Sequence, residues 1–542
     1  MIASWLDHLI VLPVLLPLVA AAAMLLLDER RHQVKRVIAL LTTTALVIIS
    51  TLLLRGAASR GFADEPATTA YPIGNWPAPF GIVLVIDWLS AVLLVLTSIL
   101  GLAALVYSLA RWDRASPRFH ALFLLQLMGL NGAFLTGDLF NLFVFFEVLL
   151  AASYGLLLHG SGAVRVKAGL HYVSINIAAS LLFLIGMALI YGVTGTLNMA
   201  DLATRIPLIA ESDLAILQSG MAILGIAFLL KAGMWPLGLW LPRTYAAAAP
   251  PVAALFAILS KVGVYAVLRV YLLLFGGNVG WTANFGEEWL LFGGLATITF
   301  GTVGILAART LSRVAGYSLL VSSGTLLATI GAGAGAVISG ALFYLVSSTL
   351  GIAAFYLLIE LVERREAETT PHAVVEPVFD DEYTGALQEE EDEVGVVIPA
   401  TIAILGGGFA FCVLVIAGLP PLSGFIAKFA IIDGLLELEN TISGPTWMLI
   451  GLMIVSGLAT LIAATRAGID LIWTPSDKPL PALRLAEALP VGFLLAVCLG
   501  LMIFAGPVIR YMERTGNSLA DRQGYVESVL GLPRTDIRDS RP

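Results

Sequence analysis

The sequence predicts an all-α polytopic membrane protein of about fourteen transmembrane helices, and three observations lead there. Of 542 residues, 58% are hydrophobic and only 13% are charged, with a mean hydropathy of +0.92; a water-soluble domain carries about 25% charged and roughly 45–50% apolar residues. Apolar runs of about 20 residues, enough to cross a hydrocarbon layer roughly 30 Å thick, recur along the chain. The loops between them alternate between basic and acidic, as expected when Lys and Arg stay on the cytoplasmic side.

Leu9–Leu27 is the first span. It follows no basic stretch and contains no small-residue cleavage site, so it is expected to be a retained helix and not a removed signal. Arg30, Arg31, Lys35 and Arg36 make the next loop basic before Val37–Leu54. Asp64 and Glu65 precede the third span, Leu84–Leu109, and Arg111, Arg114 and Arg118 follow it. Phe119–Thr136 and Leu139–His159 are the fourth and fifth spans, with Arg165 and Lys167 beyond them. Ala168–Tyr191 leads to Asp201, Glu211 and Asp213, and Ile216–Leu241 leads to Arg243. Pro250–Phe275 is the eighth span; Glu287 and Glu288 introduce the ninth, Trp289–Ala308, which Arg309 and Arg313 separate from Val314–Ile330. Val337–Leu361 is the eleventh. The twelfth run, Val396–Glu437, is about twice the usual length and is interrupted by Gly418-Leu419-Pro420-Pro421, so it reads as one broken span. Trp447–Thr465 and Ala488–Val508 complete the series.

The net charge is −8, but twelve acids and two arginines lie between Glu363 and Glu393, leaving a near-neutral membrane body. The insert 363–394 reads as a solvated linker, since it has little to bury. Its place in the alternation puts it in the cytoplasm and both termini outside. Cys412 and Cys498 sit in apolar runs, and none of the six histidines is paired at ligand spacing, so no disulfide, metal or haem cofactor is expected. Gly331-Ala332-Gly333-Ala334-Gly335 follows no strand and reads as a turn between apolar helices rather than a phosphate loop. No basic patch points to nucleic acid.

An ionised side chain at the centre of a membrane helix costs roughly 2.5–3.5 kcal/mol on insertion scales. Glu147, Lys231, Lys261 and Lys428 all lie deep in apolar runs, each in a different span. Mutual ion pairing cannot account for them, because one carboxylate faces three amines. Burial in general drives lysine and glutamate pKa values towards neutrality, and an amine that can exist in either form is a proton-relay element. Helix breaks accompany two of these lysines: Lys231 precedes Trp235-Pro236, and Lys428 follows Pro420-Pro421. Proline frees backbone carbonyls, and interrupted helices in corresponding places mark the ion path of transporters built from repeats. Spans seven and twelve are five apart, which predicts two inverted five-helix repeats, spans 4–8 and 9–13. The organisation is then 1–118, a three-helix segment; 119–276, the first repeat; 277–467, the second, with the acidic insert; and 468–542, the last helix and tail.

Further polar groups are candidates for the path. Ser318, Ser322, Thr325 and Thr329 form a stripe, and Tyr344, Ser347, Ser348 and Thr349 a cluster, although such hydroxyls also bond simply between helices. Lys261, Tyr265 and Arg269 share a helix face, Arg269 being equally readable as an anchor. Asp87 and Asp138 fall near the outer surface, where ion uptake and helix capping are both open. His171 reads as an interfacial histidine or a proton-uptake group.

The stretch Gly137-Asp138-Leu139-Phe140-Asn141-Leu142-Phe143-Val144-Phe145-Phe146-Glu147, with Lys231-Ala232-Gly233-Met234-Trp235-Pro236, Tyr245-Ala246-Ala247-Ala248-Ala249-Pro250-Pro251-Val252 and Gly418-Leu419-Pro420-Pro421-Leu422-Ser423-Gly424-Phe425, resembles the proton-translocating antiporter-like family. That family takes in Mrp-type (Pha, Mnh) cation/proton antiporter subunits and the membrane-arm subunits of respiratory complex I. Gly74-Asn75-Trp76-Pro77 and Gly192-Val193-Thr194-Gly195-Thr196-Leu197-Asn198 are similar to the branch formed by the D-type subunits of the Mrp antiporters. So is the short tail after the fourteenth span, which lacks a long lateral helix.

The resemblance implies that Glu147 is the helix-five glutamate and Lys231 its partner, with Lys261 the central relay and Lys428 the terminal lysine. Relatives commonly carry a histidine where this chain has Ser347, which implies a relay through water. The implied role is an ion-translocating subunit of a multisubunit Na⁺(K⁺)/H⁺ antiporter, beside sister subunits in a bacterial inner membrane, and not an enzyme. A proton-pumping subunit of complex I or of a membrane-bound hydrogenase, and a non-conducting scaffold, are the rivals.

Overall fold

The computed structural model describes residues 8–60, 68–116, 118–160, 162–276, 283–333, 335–367, 400–437, 443–469 and 484–531. The chain opens with α1 (Leu12–Leu26) and α2 (His32–Arg60), passes an antiparallel pair, β1 (Thr69–Pro72) and β2 (Val83–Ile86), and continues through α3 (Trp88–Ser108), α4 (Phe119–Leu135), α5 (Leu139–Leu157) and α6 (Ala163–Thr194). After α7 (Met199–Arg205) come α8 (Glu211–Ala232), α9 (Leu241–Ala247), α10 (Pro250–Phe275), α11 (Glu287–Ala307), α12 (Leu311–Ala332) and α13 (Ala336–Ala367). The remainder is α14 (Ala400–Ala417), α15 (Ser423–Glu437), α16 (Gly444–Gly468), α17 (Leu485–Ile503), α18 (Ala505–Ala520) and α19 (Arg522–Leu530).

By length and composition, 11 helical stretches among the described residues are apolar enough to cross a membrane. Three shorter apolar helices, Leu12–Leu26, Phe119–Leu135 and Thr401–Ala417, coincide with other runs that the sequence marks as spans. The acidic insert lies outside the described residues except at its start, which prolongs α13 to Ala367.

Three details refine the sequence reading, and the first and third depart from it. The fold is not purely α, since Thr69–Pro72 pairs with Val83–Ile86, in register Thr69↔Ile86. All four residues of β2, Val83-Leu84-Val85-Ile86, are buried, and the third span therefore begins as strand. Helix starts only after Asp87, whose side chain forms a reciprocal capping box with Ser90. Secondly, the seventh span is interrupted where Trp235-Pro236 predicts a break, and consists of α8, a 3₁₀ turn at Leu237–Trp240 and α9. Thirdly, the last span stops at Ile503, and the tail forms two further helices, α18 and α19, that hydropathy does not signal. α18 buries Met512, Thr515, Gly516 and Leu519 on one face and exposes Arg510, Glu513 and Arg514 on the other, so its pattern is that of a helix lying on a surface.

The centre of the bundle is made by α10, α12 and α13. Every residue in the apolar windows of α10 and α13 is buried, and nearly every one in that of α12. Helices α6 and α11 lie outside and turn Ile177, Leu181, Trp289, Phe292 and Val303 outward, as lipid- or partner-facing helices do. Close approach at the centre depends on Gly263: a Cβ there would come within 2.4 Å of the Ala232 backbone nitrogen, so α10 lies directly on the end of α8.

Ion pairs tie the two ends. At one, Arg269 Nη2 lies 2.6 Å from Asp87 Oδ2, both side chains being buried, with the guanidinium over the rings of Tyr265 and Tyr525. Asp87 and Arg269 are thus a cap and an anchor. At the other end, Asp113 binds Arg36, and His120 Nε2 lies 3.4 Å away. Burial alone would raise the Asp113 pKa, but the nearby His120 ring and the hydrogen-bonded Arg36 guanidinium prevail and hold it below the usual carboxylate value.

Removing one partner of a buried pair is expected to cost about 3–5 kcal/mol. Arg269→Met should therefore lower the thermal unfolding midpoint of the purified protein markedly, and adding Asp87→Asn should recover much of the loss. Failure of the double variant to recover would show that Arg269 anchors the fold chiefly through its packing on Tyr265 and Tyr525.

Candidate functional site

Lys231 closes α8. The helix ends there because Gly233 adopts a left-handed φ of 83° and Pro236 cannot continue it. The break leaves backbone groups to be satisfied from outside the helix, and the Trp235 N–H donates to Thr297 Oγ1 at 2.8 Å. The Lys231 side chain is buried, and its amine has no hydrogen-bond partner among the described residues. It lies 4.8 Å over the face of Phe146, a cation–π placement.

Glu147 is next to Phe146 on α5, but successive helical side chains diverge by about 100°. When Phe146 faces the lysine, Glu147 turns towards α6, where Ser180 Oγ donates to its Oε1. The carboxylate is half-buried and near enough to act on Lys231 electrostatically, yet the two form no ion pair within 4.0 Å. The expected Glu147–Lys231 partnership is therefore an apposition without contact.

The second centre joins three helices. Lys261, wholly buried on α10, donates to Ser322 Oγ of α12 at 2.7 Å, with Ser323 Oγ at 3.5 Å. Ser322 Oγ in turn shares a hydrogen bond of 2.9 Å with Ser348 Oγ of α13. Not all of the serine and threonine stripe takes part. Thr325 and Thr329 donate to carbonyls of their own helix, those of Val321 and Leu326.

Lys428 is the third centre. Its amine donates to the carbonyls of Ala417 (2.8 Å) and Met453 (3.1 Å). Ala417 ends α14, where Gly418, at φ 77°, and Pro420-Pro421 stop the helix. The break thus frees the carbonyl that receives the amine, at the helix end whose dipole favours a cation. Gly457 makes the approach possible, since a Cβ there would meet Ala417 O at 2.3 Å and Lys428 Nζ at 3.1 Å. A void of ≈ 10 Å³, bounded by Ser318, Tyr344, Ser348, Lys428, Ser456 and Thr460 among others, has room for about one water. It lies between the serine link and Lys428, and the buried Ser318 hydroxyl on its wall has no partner among the described residues.

Other candidates separate from this line. Ser347 donates to Ser423 Oγ at 2.9 Å, tying α13 to the start of α15 rather than joining Lys261. Tyr265 is committed to the Phe134 carbonyl at 3.0 Å. Asp138 caps α5, accepting from the Phe140 and Asn141 N–H groups, and burial raises its pKa against those bonds. His171 is exposed on α6, whereas Lys231, Lys261 and Lys428 are buried. Ser180 and Ser423 carry no signal in the sequence. Each is a lone hydroxyl whose importance emerges only when its partner helix is in place.

Residues 136–460 match the family model described as NADH:quinone oxidoreductase/Mrp antiporter, TM. The probable D subunit of a K⁺/H⁺ antiporter of Rhizobium meliloti is 54% identical over 98% of this chain and 99% of its own. The D subunit of a Na⁺/H⁺ antiporter of Alkalihalophilus pseudofirmus is 34% identical over 85% and 88%. The fold is similar to a chain of the Mrp complex from Dietzia sp., with a TM-score of 0.81 at 24% identity, covering 97% of this chain and 100% of that one. It is also similar to a chain of respiratory complex I from Thermus thermophilus, with a TM-score of 0.73 at 22% identity, covering 95% and 99%.

Gly457→Ala forces α16 away from Ala417 and Lys428 and is expected to cost about 1–3 kcal/mol as overpacking, read as a lower unfolding temperature. Gly451→Ala, on the same helix with nothing within 4 Å of the added carbon, should be close to neutral. Equal effects would mean that helix propensity, not the lysine contact, governs the site.

Proposed function

The chain belongs to the NADH:quinone oxidoreductase/Mrp antiporter membrane-subunit family, together with antiporter D subunits, and from that premise we propose that it is an ion-translocating subunit of a multisubunit monovalent cation/proton antiporter. It is a multi-pass membrane protein. Its fourteen apolar stretches are read as fourteen crossings of a bacterial inner membrane, with spans 4–8 and 9–13 as two inverted units. The matching interruptions support this: α8 and α14 both end at a left-handed glycine followed by proline. Both termini are taken as external and the acidic insert as cytoplasmic. The cation is K⁺ or Na⁺, K⁺ being considered first because the relative named for potassium shares more of the sequence.

The observation that carries the proposal is the buried link Lys261–Ser322–Ser348, which crosses three helices at the centre of the bundle, with a water-sized void between it and Lys428. A hydroxyl both donates and accepts, so such a link can pass a proton by reversing its hydrogen bonds. In the proposed cycle, Glu147 moves between Ser180 and Lys231. When it is held by Ser180, Lys231 is less stabilised as a cation and releases its proton towards Lys261 and then Lys428. The opposite charge movement accompanies cation exchange with the sister subunits.

In vesicles containing the assembled complex, Lys231→Ala and Glu147→Ala are each expected to reduce cation-driven proton exchange by about 10²-fold or more, in line with the loss of a positioned proton-transfer group, while sister subunits still co-purify. Exchange retained in both variants would remove the relay and leave a scaffold. Separately, a topology reporter fused after Pro542 should behave as external; cytoplasmic reporter activity would break the fourteen-crossing count.

A further inference from the structure

Among the buried polar atoms without a partner in the described residues are Lys231 Nζ, Trp240 Nε1, Tyr245 Oη and Tyr356 Oη. Unpaired buried polar atoms are uncommon, and each usually marks a bound water or a function. These four adjoin two cavities. One is an open vestibule of ≈ 410 Å³ at the arginine-rich end of the bundle, with Arg111, Arg165, Tyr245, Ser312, Tyr356 and Glu360 on its wall. The other is a void of ≈ 10 Å³ bounded by Lys231, Trp240, Tyr245, Phe146, Asn176 and Leu259 among others. Tyr245 lines both, and is itself 1% exposed.

We propose that Tyr245 is a proton-selective partition between the vestibule and the Lys231 chamber, its hydroxyl passing a proton to a single chamber water while its ring bars the alkali cation. The inference rests on the proton-relay reading above. It adds the route by which Lys231 is loaded and the residue that makes this route specific.

The chemistry of the walls argues for it. The chamber has room for about one water, and that water would meet the Lys231 amine, the Trp240 N–H and the Tyr245 hydroxyl, which have no partner among the described residues. Trp240 is donor-only, whereas the tyrosine hydroxyl both donates and accepts, so of the two only Tyr245 can relay. A hard cation requires several oxygen ligands at once. This chamber offers it aromatic and aliphatic faces, one amide, a repelling amine and two phenols, Tyr172 and Tyr245, of which that of Tyr172 is already engaged with Ser153 Oγ at 2.8 Å. On the outer side the vestibule is lined by the small side chains of Ala246, Ala247, Ala248 and Ala253, and Tyr245 is common to the walls of both cavities, so the boundary between them lies at that side chain. The alkali cation must then cross elsewhere.

Two measurements on the assembled complex in vesicles test this. In the first, Ser312→Cys in the vestibule and Leu259→Cys in the chamber are challenged with a membrane-impermeant, positively charged thiol reagent added from the arginine-rich side. The native Cys412 and Cys498 are buried and serve as a quiet background. Ser312→Cys should react and Leu259→Cys should not, until Tyr245→Ala opens the partition. Reaction of Leu259→Cys with Tyr245 intact overturns the proposal, even if the alanine variant does not assemble.

In the second, Tyr245→Phe keeps the ring and removes the hydroxyl. Proton exchange should fall at least about tenfold, at the modest end for loss of a proton-transfer group, with the apparent affinity for the cation unchanged. If Tyr245→Phe exchanges normally while Lys231→Ala is dead, the partition is wrong and the relay stands. If Lys231→Ala also exchanges normally, the relay itself has failed.

Discussion

A charged group inside hydrocarbon must find its partners within the protein or in trapped water, because lipid supplies none. That constraint organises this molecule. Its buried lysines are satisfied in three different ways: Lys231 by an aromatic face, Lys261 by a serine hydroxyl and Lys428 by backbone carbonyls. Among the described residues, none of the three has a carboxylate within ion-pairing distance. A permanent ion pair would hold each lysine charged, and it is the weaker partnership of hydroxyls, carbonyls and a ring face that the proposed relay draws on. α10, α12 and α13 meet at the centre, where the Lys261 amine of α10 bonds Ser322 of α12 and Ser322 in turn bonds Ser348 of α13.

The helix breaks serve this arrangement from the backbone side. At the end of α14 the interruption releases the Ala417 carbonyl that holds Lys428, and at the end of α8 it turns the chain so that Trp235 bonds across to Thr297. Glycines complete the geometry by letting backbones approach: Gly263 beneath Lys231 and Gly457 beside Lys428. The ends of the bundle are treated differently. There the charges are paired outright, Asp87 with Arg269 and Asp113 with Arg36, as suits structural anchors.

Much of this is legible from the residues alone. Spans show in the sequence because a hydrocarbon layer imposes a length and an apolar composition that few other environments demand. The depth of Glu147, Lys231, Lys261 and Lys428 follows from their positions within those runs, and the breaks at Pro236, Pro420 and Pro421 from the chemistry of proline. The β1–β2 pair is hidden because Val83-Leu84-Val85-Ile86 continues without interruption into the apolar run of α3, and hydropathy does not distinguish a buried strand from a helix. α18 is hidden because its charged face lowers the average of a helix that lies along the bundle instead of crossing it.

The sequence by itself determined a multi-pass membrane body, the helix interruptions and four ionisable side chains at depth, since each depends on a residue's own chemistry and its local run. The tertiary structure alone decided which groups touch. It turned Glu147 to Ser180 instead of Lys231, gave Lys261 to Ser322 while sending Ser347 to Ser423, and used Asp138 as a cap. The reason is physical: a contact between helices depends on which way each side chain points and how closely two backbones approach, and neither is a property of one segment.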